Sequence, residues 1–198
     1  MVTLSKMPLR VPTTSEAGKA SRASWAEAAL DALTEGGVEA VAVEPIARRL
    51  GVTKGSFYWH FENREALLAA ALDLWEARGT TAIIAELSAI PSPSDRLRAL
   101  FRRVSDVAKS APSHAALASA REPLVHRTLA RVATARLSFL TDCYARSGSA
   151  PKLARRRALL AYAAYLGLMQ VLRESPGELG TAGERDAYTA HVIATLVP

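Results

Sequence analysis

The sequence has little cysteine and no long apolar run. Cys143 is the only cysteine among 198 residues, so no intrachain disulfide can form. The longest apolar run, residues 158–172, includes Gln170 and is shorter than the roughly 18 to 20 residues that a membrane-spanning helix needs. Residues 1–22 lack the apolar stretch of a secretory signal. We therefore expect a cytoplasmic protein that does not associate with a membrane.

Signatures of catalysis and of metal binding are also missing. The chain contains no Gly-x-Ser-x-Gly, no phosphate-binding Gly-Lys-Ser/Thr loop and no His-Glu-x-x-His. Its histidines are widely separated and lack the spacing of metal ligands; they are His60, His114, His126 and His191. The sequence therefore predicts a protein that is not an enzyme and that uses no metal or other cofactor.

The composition is that of a folded globular protein, with 49% apolar and 22% charged residues. A net charge of +6 suggests nucleic acid as a partner, but the surplus lies in the middle of the chain. Residues 95–157 contain 14 Lys/Arg and 4 Asp/Glu, whereas residues 1–62 contain 7 of each. A claim that the N-terminal part binds DNA must therefore rest on local chemistry.

Apolar residues recur at helical spacing through most of the chain, which predicts an all-α fold of about nine helices. Residues 1–18 lack this periodicity and indicate a flexible tail. We expect Thr53 and Asn63 to cap the helices that follow them. The predicted helices are 19–35, 45–50, 53–61, a long one from 63, 94–110, 113–120, 122–147, 151–174 and 183–197.

The segment 44–61 has the pattern of a helix-turn-helix, because two short helices follow each other with almost no linker. Ala47 is small where the helices must approach, and Gly51 permits the positive φ of a helix end. Val52 and Phe57 are placed to close the apolar seam between the two helices.

Five consecutive ring residues occupy positions 57–61, and at about 100° per residue they cannot all face one core. The alternative is that these rings belong to an ordinary core. Exposed rings suggest a partner, and their neighbours suit phosphates and base edges. The residues expected on the exposed side are Lys54, Ser56, Tyr58, Trp59 and His60, with Gly55 allowing a backbone to approach closely.

The residues just described resemble the TetR family of bacterial transcriptional regulators. The similarity lies in Gly-Val-Thr-Lys-Gly-Ser-Phe-Tyr-Trp-His-Phe at 51–61 and Asn-Arg-Glu-Ala-Leu-Leu at 63–68. It extends to Gly-Val-Glu-Ala at 37–40 and Ile-Ala-Arg-Arg-Leu at 46–50, and covers about residues 19–70. The resemblance implies a homodimer that binds operator DNA through its N-terminal helices and is released by a small molecule bound in the C-terminal ones.

The resemblance also assigns roles by position. The start of the recognition helix, which would face the DNA groove, contains Lys54, Gly55 and Ser56. The residues that would reach the DNA backbone are Tyr58, Trp59, His60 and Arg64. One departure is that Val41 and Ala42 stand where the family often has Thr or Ser, which puts phosphate contacts there in doubt. The expected DNA-binding residues are Thr53, Lys54, Gly55, Ser56, Tyr58, Trp59, His60 and Arg64.

Three regions are expected: the tail at 1–18, a helix-turn-helix DNA-binding domain at 19–65, and an effector-binding and dimerisation domain at 66–198. Residues 158–172 are apolar nearly all round, which suits a helix buried in a bundle and against a partner subunit. The alternative is an intrachain core only. The expected interface residues are Ala161, Ala164, Gly167, Ala187, Ala190, Ile193, Ala194 and Val197.

An effector cavity is expected among residues 66–173, and the effector itself is unknown. The candidate lining residues are Trp75, His114, Arg121, His126, Tyr162, Tyr165 and Met169. An inward-facing arginine at 121, 127 or 131 would be costly without a carboxylate partner, so it could await a ligand anion. The alternative is an apolar or uncharged ligand, with all three arginines at the surface.

Two functions of different classes remain. The first is a repressor that binds DNA and is released by a small molecule. The second is a helical small-molecule-binding protein or enzyme that keeps a non-functional helix-turn-helix subdomain. The residues expected to be exposed favour the first, because a recognition helix that no longer bound DNA would have no reason to display them; they are Lys54, Tyr58, Trp59 and His60.

Overall fold

The computed structural model describes residues 20–107, 117, 121–175 and 177–198, with the backbone alone over 104–107. These residues are mainly helical and form no β-strand, which confirms the all-α prediction. The predicted tail and most of the predicted helix at 113–120 lie outside the described residues. The helices are α1 (Arg22–Gly36), α2 (Val43–Leu50), α3 (Lys54–Phe57), α4 (Arg64–Glu76), α5 (Ala82–Ser88), α6 (Pro93–Val107), α7 (Pro123–Arg146), α8 (Pro151–Glu174) and α9 (Ala182–Leu196).

The N-terminal helices begin and end at residues suited to those positions. The Ser21 hydroxyl caps α1 by accepting a hydrogen bond from the Ser24 amide at 3.1 Å. Gly51 ends α2 in the left-handed conformation, with φ of 67°, as the sequence predicts. The Asn63 side chain caps α4 by accepting from the Ala66 amide at 2.9 Å, which confirms that prediction.

One core joins the N-terminal helices to the rest of the molecule. Helix α1 packs along α4, and Trp25, Phe57 and Leu67 are buried between the first four helices. The same core continues into α7 through Val125 and Val132. Helix α4 therefore packs against both parts of the protein.

The sequence analysis set no end for the long helix from 63, and the structure shows that the chain stays helical through residues 77–88. Helix α4 continues through a π-helical turn, Ala77–Thr81, into α5. Gly79 and the β-branched Thr80 have low helix propensity, so the local sequence does not favour a helix here. Burial of Thr80, which is only 2% exposed, indicates that tertiary packing holds the turn.

The remaining helices form a bundle around a second core. Helix α7 packs along α8, and α9 packs against α6. The centre of this core contains Leu97, Cys143 and Tyr144, each at 0% exposure. In the part of the chain that the structure describes, no helix is both long enough and apolar enough to cross a membrane.

Candidate nucleic-acid interface and effector region

The turn between α2 and α3 is closed by backbone hydrogen bonds and by apolar contacts. The Val52 amide donates to the Ala47 carbonyl at 3.0 Å, and the side chains of Ala47 and Phe57 are buried. Val52 is half-buried and packs against the same core. This is the helix-turn-helix that the sequence predicts.

The five ring residues divide between core and solvent. Phe57 and Phe61 are buried and stacked, with ring centroids 5.7 Å apart, and Phe57 meets Trp25 edge-on at 5.4 Å. Tyr58 is 61% exposed and Trp59 is 87% exposed, while His60 is half-buried. The prediction that some of these rings face outward is confirmed.

Helix α3 is shorter than predicted, because it ends at Phe57 rather than Phe61. The amides of His60 and Phe61 both bond to the Phe57 carbonyl, at 2.9 and 3.0 Å, and this tightens the chain into a turn. Thr53 lies at the N-cap position, but its side chain makes no capping hydrogen bond. The predicted role of Thr53 as a cap is therefore wrong.

Lys54 is the first residue of α3 and is exposed, as expected. Its ammonium group donates to Glu44 Oε1 at 2.7 Å, so the pair joins the two helices of the motif across their solvent side. The hydrogen bond and charge of Lys54 lower the pKa of the Glu44 carboxyl, and Glu44 raises the pKa of Lys54. Glu44 was not among the expected site residues, and its opposite charge ten positions before Lys54 is the only signal in the sequence.

Gly55 and Ser56 follow on the same short helix. A Cβ added at Gly55 would meet the Thr53 hydroxyl oxygen at 3.7 Å, an ordinary contact distance. The fold therefore leaves room for a side chain at this exposed position. Ser56 is half-buried, and its amide donates to the Thr53 carbonyl at 3.0 Å.

Arg64 binds groups of its own chain. Its Nε donates to the Val41 carbonyl and its Nη2 to the Val38 carbonyl, each at 2.7 Å, and its Nη1 lies 3.3 Å from Glu122 Oε1. The resemblance assigned Arg64 to the DNA backbone. In this structure the side chain instead fastens the start of α4 to the turn before α2 and to the start of α7.

The start of α2 carries no side-chain cap. Ala42 occupies the N-cap position without a side-chain hydrogen bond, and Val41 is fully buried. A groove of about 430 Å³ opens beside it, between α2, α3 and the start of α4. Its lining is Ala42, Val43, Glu44, Pro45, Lys54, Phe57, Tyr58, Glu62, Asn63 and Arg64.

Three of the expected effector residues lie together in the C-terminal bundle. Trp75 and Tyr162 are buried, and Tyr165 stacks on Tyr162 with ring centroids 6.3 Å apart. Arg136 of α7 lies between them, 6.0 Å from the Trp75 ring centroid and 5.6 Å from that of Tyr165. Met169 is half-buried on α8, and His114 lies outside the described residues.

The arginines that the sequence analysis considered are all at the surface. Arg121 and Arg127 are exposed, and Arg131 is exposed and paired with Glu76 at 2.6 Å. His126 is exposed as well. The prediction that Arg121 and His126 line a cavity is therefore wrong, because Arg121, before the N-cap of α7, and His126, in its first turn, are both exposed to solvent. On α7 the half-buried arginine is Arg136, which the sequence analysis did not select.

The expected interface residues fall into two groups. Ala161 is 2% exposed within the second core of its own chain, so its prediction as an interface residue is wrong. Ala164 is half-buried, and Ile193 and Val197 also pack against that core. The exposed members of the expected interface are Gly167 on α8 and Ala187, Ala190 and Ala194 on α9.

Within the described ranges, His, Cys, Asp and Glu side chains form no group of three that could hold a metal ion. The fold and site together define a helix-turn-helix protein with a helical C-terminal domain. A family model described as bacterial regulatory proteins, tetR family, matches residues 26–71. The chain belongs to this family.

Individual relatives agree with this assignment. Tetracycline repressor protein class A from transposon 1721 of Escherichia coli is 44% identical over 54 residues, which cover 27% of this chain. The chain matches only 25% of that protein's length. The uncharacterized HTH-type transcriptional regulator TtgW of Pseudomonas putida is 32% identical over 101 residues, covering 42% of this chain and 72% of that protein.

The fold match extends over most of the chain. The crystal structure of a transcriptional regulator from Rhodococcus sp. Rha1 superposes with a TM-score of 0.70 and 25% identity. The superposition covers 89% of this chain and 96% of that one. The C-terminal bundle therefore shares its architecture with a known regulator.

Proposed function

We propose that this protein is a sequence-specific DNA-binding transcriptional regulator, with residues 19–65 as the DNA-binding domain. The observation that carries the proposal is the exposed face of the helix-turn-helix. Tyr58 and Trp59 are largely exposed beside Lys54, although the core of the same unit is closed by Phe57 and Phe61. Amphipathic rings and a cation on one short helix and the turn that follows it suit the phosphates and base edges of a DNA groove.

We also infer that the protein acts as a homodimer. Helix α8 exposes Leu153, Leu160 and Val171, at 43%, 58% and 46%. Their spacing places them in one stripe along the helix, and Gly167 lies in the same stripe. Contiguous exposed apolar surface of this kind marks a protein interface. The exposed alanines of α9 offer a second surface for close helix packing across a two-fold axis.

The C-terminal bundle is proposed to bind a small-molecule effector that releases the protein from its operator, so that the protein acts as a repressor. The supporting arrangement is the aromatic cluster of Trp75, Tyr162 and Tyr165 beside the π-helical turn. Turns of this type frequently occur at functional sites. Trp75 of this cluster lies near the C-terminal end of α4. The N-terminal end of α4 follows directly after the helix-turn-helix.

The experiment is a selection of duplexes from random DNA with the purified full-length chain. We expect a near-palindromic operator with one recognition helix in each half-site. About six to ten phosphate contacts would reduce affinity about 10³- to 10⁵-fold between 50 and 200 mM salt. Selection of no sequence, or binding that does not depend on salt, would exclude this function and favour a helical small-molecule-binding protein or enzyme.

Substitutions can distinguish residues that contact DNA bases from residues that contact the DNA backbone. Tyr58→Ala or His60→Ala should weaken binding to all sequences about equally, since phosphates carry no sequence information. Lys54→Ala should also relax base preference if its ammonium group reaches a guanine edge. A uniform loss in Lys54→Ala would show that Lys54 contacts only phosphate.

A further inference from the structure

Arg136 is held among aromatic rings in the interior of the C-terminal bundle. Its guanidinium lies 5.6 Å from the Tyr165 ring centroid and 6.0 Å from the Trp75 ring centroid. These rings come from α8 and α4, whereas Arg136 is on α7. Three helices therefore converge on one half-buried cation.

One edge of this guanidinium is occupied by the π-helical turn. Nε donates to the Thr80 hydroxyl and Nη2 to the Gly79 carbonyl, each at 3.0 Å. A guanidinium has five N–H donors in a fixed fork. The two bonds to the turn fix the plane of the group, and Tyr162 also hydrogen-bonds to it, so the remaining Nη donors keep a defined direction for a further acceptor.

The Tyr162 hydroxyl lies beside the same cation. Burial raises the pKa of Tyr162, and the charge and hydrogen bonding of Arg136 act in the opposite direction. Tyr162 thus remains a neutral phenol that places a polar group next to Arg136 in an otherwise aromatic environment.

Over the described part of the chain, Arg136 differs from Arg131 and Arg146 of α7 in having no carboxylate partner, and from the unpaired Arg127 in being half-buried. Arg131 pairs with Glu76, and Arg146 pairs with Asp142. No carboxylate among the side chains that the structure describes lies within ion-pair distance of Arg136. Burying part of a cation without a counterion is unfavourable, and an anion would remove this cost.

We propose that Arg136 binds the effector's anionic group and that the effector is an organic carboxylate with an apolar body. A carboxylate matches the fork of the guanidinium in a two-bond geometry. Tyr165 is half-buried and offers apolar surface next to the guanidinium, whereas Trp75 and Tyr162 are each only 7% exposed in this structure. This inference rests on the proposed effector function of the bundle and names the chemical class of its ligand.

The test measures binding of matched acids and amides to the full-length chain by calorimetry, without DNA. The probes are naphthalene-2-carboxylate and decanoate, each compared with its neutral amide. We expect at least one acid to bind about 10- to 100-fold more tightly than its amide, the factor expected for hydrogen bonds to a charged group. Arg136→Gln should remove this difference.

Two further variants test whether the preference for the acid depends on the guanidinium of Arg136 or only on the positive charge of the protein. Arg136→Lys keeps the positive charge but lacks the planar guanidinium that can bind a carboxylate through two hydrogen bonds. This variant should therefore retain a weaker preference for the acid. Arg127→Gln removes an exposed charge from the same helix and should bind as the parent does. Circular dichroism of each variant checks that the fold is intact.

The inference is wrong if neither acid binds, if acid and amide bind equally, or if Arg136→Gln retains the parent's preference for the acid. Because binding is measured without DNA, this result is independent of operator recognition. Failure to select any DNA sequence overturns the proposed regulator function alone, and failure of the acid series overturns the ligand class alone.

Discussion

Arg64 at the start of α4 and Glu122 at the start of α7 form an ion pair of 3.3 Å. The same guanidinium donates to the Val38 and Val41 carbonyls. One side chain thus connects the turn before α2, the helix α4 and the C-terminal bundle. In the free protein, the residue that the resemblance assigns to the DNA backbone connects the two parts of the molecule.

These contacts predict that substitution of Arg64 lowers the stability of the fold more than substitution of Glu122 does. Arg64→Ala removes the side-chain donor of the Val41 carbonyl and leaves the Val38 carbonyl with only the Val41 amide, so it should lower the free energy of unfolding by about 1–3 kcal/mol. Glu122→Gln breaks only a partly exposed ion pair and should cost less than about 1 kcal/mol. Urea unfolding of the two variants measures the difference. Unchanged stability in Arg64→Ala would mean that Arg64 has no structural role in the free protein.

Glu44 should restrain the DNA affinity of Lys54. Glu44→Gln frees the ammonium group for phosphate, so we expect tighter binding to non-operator DNA and a slope of log K against log salt steeper by about one. Competition assays at several salt concentrations measure both effects. Glu86→Gln is the control, because it removes an equal charge from an ion pair with Arg103 on other helices. Identical behaviour of the two variants would contradict a specific role for Glu44.

Gly55 should matter for DNA and not for the fold. Its added Cβ meets only the Thr53 hydroxyl oxygen at 3.7 Å, and alanine is a better helix former than glycine. Gly55→Ala should therefore leave the protein as stable or up to about 1 kcal/mol more stable. Operator affinity should fall, because the methyl group would stand between α3 and the groove. Thermal unfolding and a DNA titration check the two halves of this prediction, and an unchanged operator affinity would place Gly55 outside the interface.

A charge on the exposed stripe of α8 should separate the proposed dimer. Leu160→Arg puts an unpaired cation into the interface, at a cost of several kcal/mol. Light scattering should then show monomers with unchanged helix content. Ala145→Arg, on the exposed side of α7, is the control and should remain dimeric. A dimeric Leu160→Arg would place the interface elsewhere.

Alkaline pH should weaken the second core through Cys143. Burial raises the pKa of its thiol to about 11, whereas an unfolded thiol titrates near about 8.5. The folded state favours the protonated thiol, so this contribution is complete below about pH 8.5 and is lost as the pH rises toward 11. The loss is about 1.4 kcal/mol per pH unit.

Urea unfolding of the parent and of Cys143→Ala at pH 8 and pH 10.5 isolates this effect. The stability advantage of the parent should shrink at the higher pH. Burial also raises the pKa of Tyr144, to about 12, with a smaller contribution from Cys143, so most of this effect is common to both proteins and cancels in the comparison. A constant difference between parent and variant would contradict the prediction.

The sequence alone determined the features that depend on local chemistry. Gly51 ends α2 because a left-handed residue is needed there, and Asn63 caps α4 because its side chain reaches the Ala66 amide. The five adjacent rings divide between core and solvent because helical and turn geometry cannot place them all on one side. These features follow from residues close together in the chain.

Only the tertiary structure decided which side chains from distant helices meet. Arg136 was indistinguishable in sequence from Arg127 and Arg131, but the packing of α7 against α4 and α8 turned it alone of the three into the aromatic cluster. The π-helical turn was likewise unfavoured by its local sequence and is held by the burial of Thr80 and by Arg136. Helical periodicity reports which residues share a face, whereas the partner of that face depends on how whole helices pack.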